Sequence, residues 1–363
     1  GDLDAEKLRA KSAKFEIPST CPNLDKLCET DVDAIAVITQ PHLHGPQVMQ
    51  ALRAGKHVYS AVPPARSVAE LEELVRTVEE TGRIYMLGET SYYYPSAIYC
   101  RERFRKGDFG HIVYGEGEYY HDVDHGLREV WQWRHGDEWK RRAGSPPLYY
   151  PTHSVSLIVS VTGAHVTHVS AFGFKDRHPD GLYRQPDAIH DNPFSNETML
   201  CRLSDGSMAR FNEFRRIGHP GREGMRLYGT EGSYEDQSEE VVWQTKNREK
   251  REDLSDLLRC GGVSAGSGSE KMDKVDAGGT HMGVSKVHPV DRLPKEFVGL
   301  PNGHRGSHQF LVDDFVRAAD EERQPPNHVW RAARYMLPGL IGHESAMQGG
   351  KLLEVPDFGD GPQ

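Results

Sequence analysis

Short apolar runs alternate with amphipathic stretches over the first third of the chain. Residues 4–15 (DAEKLRAKSAKF) read as a helix, with Asp2 or Asp4 near its N-cap and Leu8 and Phe15 on one face. Residues 34–38 form an apolar run that ends in Thr39-Gln40-Pro41, as a buried parallel strand would. The pattern then predicts a helix over 45–54 and a strand over 57–60. A second helix over 67–81 places Leu71, Leu74, Val75 and Val78 at helical spacing, and 84–87 is a further strand. Strands alternating with helices of this length imply βαβ units, a parallel sheet and right-handed crossovers.

Beyond about residue 110 the texture changes. Segments 113–121, 166–174, 198–203 and 207–214 alternate apolar with polar, the mark of an open, mainly antiparallel sheet with one polar face. Residues 235–300 are charged at first and then rich in Gly, Ser and Lys, which reads as a partly looped insertion. Helices follow over 308–319 and 329–347, expected to fold back on the first domain, and Val355-Pro356 closes the chain. The expected fold is therefore α/β with two domains. Residues 1–110 form a Rossmann-like parallel sheet, and residues 111–363 form an α/β domain built on the open sheet.

At 363 residues the chain can bury two cores. Its 44 Lys+Arg against 54 Asp+Glu argue against a nucleic-acid partner, which would meet a basic face. No run of about 18 apolar residues predicts a membrane span, and no signal peptide is expected. Five scattered cysteines without a CxxC fit reduced thiols in a cytoplasm, so the sequon Asn196-Glu197-Thr198 reads as incidental. An open sheet of this kind also makes a homo-oligomer an expectation.

Candidate chemistry gathers at strand ends. The segment Tyr149-Tyr150-Pro151-Thr152-His153 puts phenol and imidazole three residues apart, just past Pro146-Pro147. Imidazole titrates near neutrality and suits a general base. The strand over 57–60 runs into Ala61-Val62-Pro63, where a ligand crevice would open. By the same rule Thr39, Pro41 and His44 are cofactor-lining candidates, and Glu89, Thr90 and Tyr92 fall near the reacting end. Tyr119, His121 and Arg134 are candidate substrate contacts, by stacking and by hydrogen bonding. Three other patterns read as decoys. His121-Asp122-Val123-Asp124-His125 has no third distant ligand group, so no metal is expected. Gly262-Val263-Ser264-Ala265-Gly266 matches a hydrolase elbow but lacks its strand and helix. Arg215-Arg216 with His219 and Arg222 reads as a solvated or interface patch.

The chain resembles the Gfo/Idh/MocA oxidoreductases. The resemblance rests on DAIAVITQPHLHGPQVMQALRAGKHVYSAVPPA, YMLGETSYYYPSA, FGHIVYGEGEYYHD and GSHQFLVDDFVRA, spread over nearly the whole sequence. It implies an NAD-binding domain, a sugar-type substrate and a hydride-transfer reaction. Most members carry Glu-Lys-Pro where this chain has Ala61-Val62-Pro63, and an aspartate where Tyr149 stands. The Val-Pro and Tyr-Pro-Thr-His forms look like the branch of NAD-dependent glycosidases such as α-N-acetylgalactosaminidases. There the tyrosine and histidine lie at the substrate, which implies Tyr150 and His153 as catalytic residues, with Tyr149 sharing the task. The resemblance also implies a first strand and glycine-rich loop ahead of Gly1. Asp2 would then contact the adenosine ribose and favour NAD over NADP. Three functions stay open: net oxidation of a sugar or glycoside hydroxyl at C3, glycoside cleavage by transient C3 oxidation, and non-catalytic sugar binding.

Overall fold

Two sheets organise the computed structural model, which describes residues 1–185, 188–219, 221–237, 240–247, 249–261 and 278–361. In the first sheet β1 (Ala34–Val37), β2 (His57–Ser60) and β3 (Tyr85–Leu87) pair in parallel in that order. Helices α1 (Ala5–Lys14) and α2 (Leu24–Cys28) precede it, and α3 (His44–Arg53) and α4 (Val68–Thr81) make the crossovers. Ser67 caps α4 by accepting from the Glu70 amide, and Gly82 ends it in the left-handed region. Leu71, Leu74, Val75 and Val78 are all buried, so the helical spacing marks a true core face. Helix α1 differs: Asp4 caps it as expected, but Phe15 is exposed and no residue of the helix is buried.

After α5 (Pro95–Arg105) comes the second sheet, of nine strands among the described residues, ordered β11-β10-β9-β8-β4-β7-β6-β5-β12. These are β4 (Ile112–Tyr120), β5 (Val166–Lys175), β6 (Phe194–Leu203), β7 (Met208–Phe214), β8 (Arg222–Gly229), β9 (Gly232–Asp236), β10 (Val241–Thr245), β11 (Glu252–Asp253) and β12 (Leu353–Glu354). All neighbours are antiparallel except β4 and β7, which run parallel. The charged start of the expected insertion is thus sheet. Strands β9 to β11 extend it, with Tyr234, Val242 and Trp243 buried, and α9 (Ser255–Leu258) follows. Short helices α6 (Arg128–His135) and α7 (Trp139–Ala143) lead to α8 (Thr152–Thr162), which covers β4, β7 and β8.

The last helices, α10 (Ser307–Asp320) and α11 (Val329–Met347), return to the first sheet. Phe310 and Phe315 of α10 pack with Met86 and Tyr93, while α11 lies against α4, β3, β5 and α8. The other face of the large sheet is open, with Val113, Phe172, Phe174, Leu200 and Met208 exposed. No described helix is long and apolar enough to cross a membrane.

The segment that carries Tyr150 and His153 is clamped by two glycines. A Cβ on Gly117 of β4 would strike the Ser154 carbonyl oxygen, and one on Gly339 of α11 would strike Leu148 O and the Pro151 ring. Buried acids fix the same segment: Glu197 accepts from the Leu148 amide at 2.9 Å, and Glu213 from Ser154 Oγ at 2.5 Å. Gly117→Ala and Gly339→Ala should each cost about 1–3 kcal/mol, as overpacking against backbone does. Denaturant titration checks this: a lower midpoint at unchanged slope is expected.

Candidate active site

One cleft of about 830 Å³ lies where the carboxyl ends of the parallel strands face the second sheet. Pro41, Ala61, Val62 and Thr90 line it from the first sheet, and Tyr119, His121, Arg134, Tyr150 and His153 from the second region. An ion pair between two chain segments lies at its wall, with His153 reaching the lining and Glu89 behind it. His153 Nδ1 lies 2.7 Å from Glu89 Oε1, and both side chains are buried. Glu89 follows β3 and His153 is the second residue of α8. Glu89 also accepts from the Ser91 amide at 3.0 Å and from Ser91 Oγ at 2.8 Å.

The electrostatics of this pair follow from its burial. Desolvation alone would lower the His153 pKa, but the Glu89 charge and hydrogen bond outweigh it and raise the imidazole well above its usual value. Desolvation would raise Glu89, yet His153 and the hydrogen bonds hold its carboxyl below the usual range. Glu89 therefore fixes the proton on Nδ1, and Nε2 is the ring nitrogen left for the cleft.

Two aromatic rings flank the His153 ring. The Tyr150 and Tyr119 rings lie 5.3 and 5.1 Å from the His153 ring. The Tyr119 hydroxyl pairs with His121 Nδ1 at 3.0 Å, and burial with Arg215 nearby takes His121 down to about 4. The Arg215 guanidinium sits 4.8 Å from the Tyr119 ring centre and bonds Glu213 at 2.8 Å. Burial pushes Glu213 up to about 7 against the pull of Arg215. Arg215 is buried, so the expected solvated patch is instead a set of ion pairs. Arg216 meets Asp180 and Asp124, and Arg222 meets Glu118.

Other predicted residues lie outside the cleft lining. Thr39 Oγ1 donates to Gln47 at 2.6 Å. His44 is buried, with its ring nitrogens 3.0 Å from the Pro63 and Thr39 carbonyl oxygens, so it ties two loops together. Pro63 is buried behind them. Glu89 does not line the cleft and orients His153 rather than a cofactor. Tyr92 lies beneath Arg101, whose guanidinium is 4.0 Å from the ring centre. Tyr149 turns away from Tyr150 and packs edge-on against His190 and His343. Asp2 is exposed and accepts from the Asp4 amide at 2.8 Å.

The decoys resolve in the same terms. Asp122 accepts from the Asp124 and Ile217 amides, Asp124 pairs with Arg128 and Arg216, and His125 meets the His219 carbonyl. Among the described residues no His/Cys/Asp/Glu group is arranged for a metal. Asn196 of the sequon bonds the backbones of Arg215 and Arg216. The motif at 262–266 lies outside the described residues.

Several lining residues had no motif to announce them. Arg66 follows the prolines after β2, where the strand-end rule points. Glu223 is the second residue of β8 and accepts from the Tyr94 hydroxyl. His304 and Arg305 come from just beyond the region read as insertion, both with positive φ. Their unusual backbone brings the Arg305 guanidinium 5.1 Å from the Tyr94 ring centre.

The cleft also fits a dinucleotide. Ile38, Pro41, Ala61 and Val62 give an apolar wall at the strand ends. Thr90 Oγ1 is buried beside it with no hydrogen-bond partner among the described residues.

Known proteins share this fold. Residues 2–89 match the oxidoreductase family described as an NAD-binding Rossmann fold, and residues 98–235 match the GFO/IDH/MocA C-terminal domain. A glycosyl hydrolase family 109 protein of Solibacter usitatus is 25% identical over 90% of this chain and 72% of its own length. One from Streptomyces filamentosus is also 25% identical, and the chain spans 64% of it. An alpha-N-acetylgalactosaminidase of Bacteroides fragilis is 30% identical over 39% of this chain and 34% of its own. Among solved structures, an oxidoreductase domain protein from Kribbella flavida aligns over 98% of this chain and 88% of its own, with TM-score 0.72 and 20% identity. Levoglucosan dehydrogenase, complexed with NADH and levoglucosan, aligns over 98% and 89%, with TM-score 0.70 and 16% identity. Both domain matches fall in the order and places that the two sheets occupy, and the chain belongs to the Gfo/Idh/MocA oxidoreductase family.

Proposed function

We propose that this chain is an NAD-dependent enzyme that oxidises a ring hydroxyl of a sugar or glycoside, at C3. The buried Glu89–His153 pair facing the cleft carries the reading. Oxidising a secondary alcohol takes a proton from oxygen and a hydride from carbon. Bound NAD supplies the hydride acceptor. His153 Nε2 takes the hydroxyl proton, and the Glu89 carboxylate stabilises the imidazolium that results. Tyr150 and Tyr119 wall the sugar face, with the Tyr150 hydroxyl bonding the reacting oxygen. Ile38, Pro41, Ala61, Val62 and Thr90 would hold the cofactor's reacting end, and Asp2 its ribose.

The glycosidase names of the relatives favour a second reading on the same site. A ketone at C3 acidifies the C2 proton. Its loss forms the C1–C2 double bond as the bond from C1 to the aglycone oxygen breaks. Water then adds at C1, a proton returns to C2, and hydride returns to C3. Stoichiometry separates the two. Net NADH that matches product supports simple oxidation. Aglycone release without NADH, with solvent deuterium at C2 of the product, supports cleavage.

Two further features belong to this reading. The exposed apolar residues on the open sheet face support pairing with a second copy, and light scattering at the monomer mass would refute it. The five cysteines are free, which supports a reducing compartment such as the cytoplasm. Signal from a tagged chain in an oxidising compartment alone would refute that.

A further inference from the structure

Three arginines at one end of the cleft lack carboxylate partners. Arg66 follows β2, Arg134 lies in the last turn of α6, and Arg142 lies in α7, and all three line the cleft. Among the described residues none of them forms an ion pair, whereas Arg215 and Arg222 in the same cleft are paired with Glu213 and Glu118. The Arg66 guanidinium has only neutral hydrogen-bond partners, and the Glu70 charge acts on it without an ion-pair contact. Its Nη2 donates to Ser145 Oγ at 2.6 Å and meets His190 Nε2 at 3.4 Å, and it lies 5.5 Å from the Tyr149 ring centre. Glu70, the acid that comes near, accepts from the Arg66 backbone amide at 2.6 Å instead. Partly buried like charges without counter-charge are costly to hold together, and an incoming anion removes that cost.

We propose that Arg66, Arg134 and Arg142 form a subsite for the anionic group, carboxylate or sulfate, of an acidic saccharide. It rests on the sugar-oxidising reading and narrows its substrate class. Guanidinium forks match the paired oxygens of these groups. Position ties the subsite to the sugar. Arg134, Arg142, Ser145 and His190 come from the region that carries His153. Tyr149 and Tyr150 act electrostatically on Arg66, and Arg134 acts on His121. Burial, with the guanidinium charges, holds His135 and His190 down at about 4, so they supply neutral hydrogen-bonding rings.

The test is calorimetric titration of the NAD-loaded full chain with D-galactose, D-galacturonate and D-galactose 6-sulfate. At least one acidic sugar should bind about tenfold or more tightly than galactose, as charge-assisted hydrogen bonds predict. Arg142→Gln, a half-buried position, should collapse that ratio toward one, and Arg142→Lys should restore part of it. Equal affinities for neutral and acidic sugars in the unaltered protein would overturn the subsite. So would Arg142→Gln weakening NAD or NADP titration while the acidic preference stays, which would assign the arginines to dinucleotide phosphate. The catalytic reading fails separately: acidic sugars that bind but are never oxidised or cleaved uphold the subsite and sink the oxidase.

Discussion

His153→Ala is expected to lower turnover by about 10²–10⁴-fold, the range a positioned general base contributes. The variant also strands a charge. Glu89 would stay buried with only the Ser91 amide and hydroxyl as partners. Breaking a buried pair from one side costs about 3–5 kcal/mol. Thermal unfolding should therefore fall in His153→Ala and recover in His153→Ala/Glu89→Gln, where no charge is left behind. Turnover should stay low in both. Recovery of turnover along with stability would show that His153 serves the fold and not the chemistry.

Glu89→Gln should move the pH profile and lower its plateau. The carboxylate raises the His153 pKa well above its usual value. The base form that accepts a proton is thus scarce below that pKa, and kcat/KM should climb as pH rises through it. Glutamine removes the charge, and burial then pulls the imidazole down. The acid limb should shift to lower pH, while the plateau falls at least about tenfold because a weaker base drives the transfer. Nitrogen NMR of labelled histidine reads the same shift without substrate. An unmoved limb and an unmoved His153 resonance would remove Glu89 from its positioning role.

Much of the fold was legible because periodicity and burial agree. The helix over 329–347 is found with those bounds, and along β6 burial alternates from Met199 to Leu203 as the sequence pattern does. Strands β9 to β11 were hidden because each is short, so alternation had few residues in which to show. The site was half legible. His153 and Tyr150 stand at the cleft, as do Pro41, Ala61, Val62, Thr90, Tyr119, His121 and Arg134. The pairing of Glu89 with His153 was not foreseen, because His153 lies far along the chain and the contact leaves no local trace. Tyr149 and Tyr150 are neighbours in a tight turn that aims their rings apart, which spacing alone does not encode. Arg215 looked solvated, although Glu213 two residues earlier on the same strand face was a readable sign of a buried pair.

In the proposed function the Glu89–His153 pair drives proton removal during hydride transfer from a sugar. The most direct measurement mixes the NAD-loaded protein with a panel of neutral and acidic sugars and glycosides, α-N-acetylgalactosaminides included. Rapid mixing would follow the near-ultraviolet absorbance of NADH. A transient or lasting rise is expected with at least one saccharide in the unaltered protein, and none in His153→Ala. A rise of equal rate and size in both would contradict the proposed function, as would a panel that never reduces the cofactor.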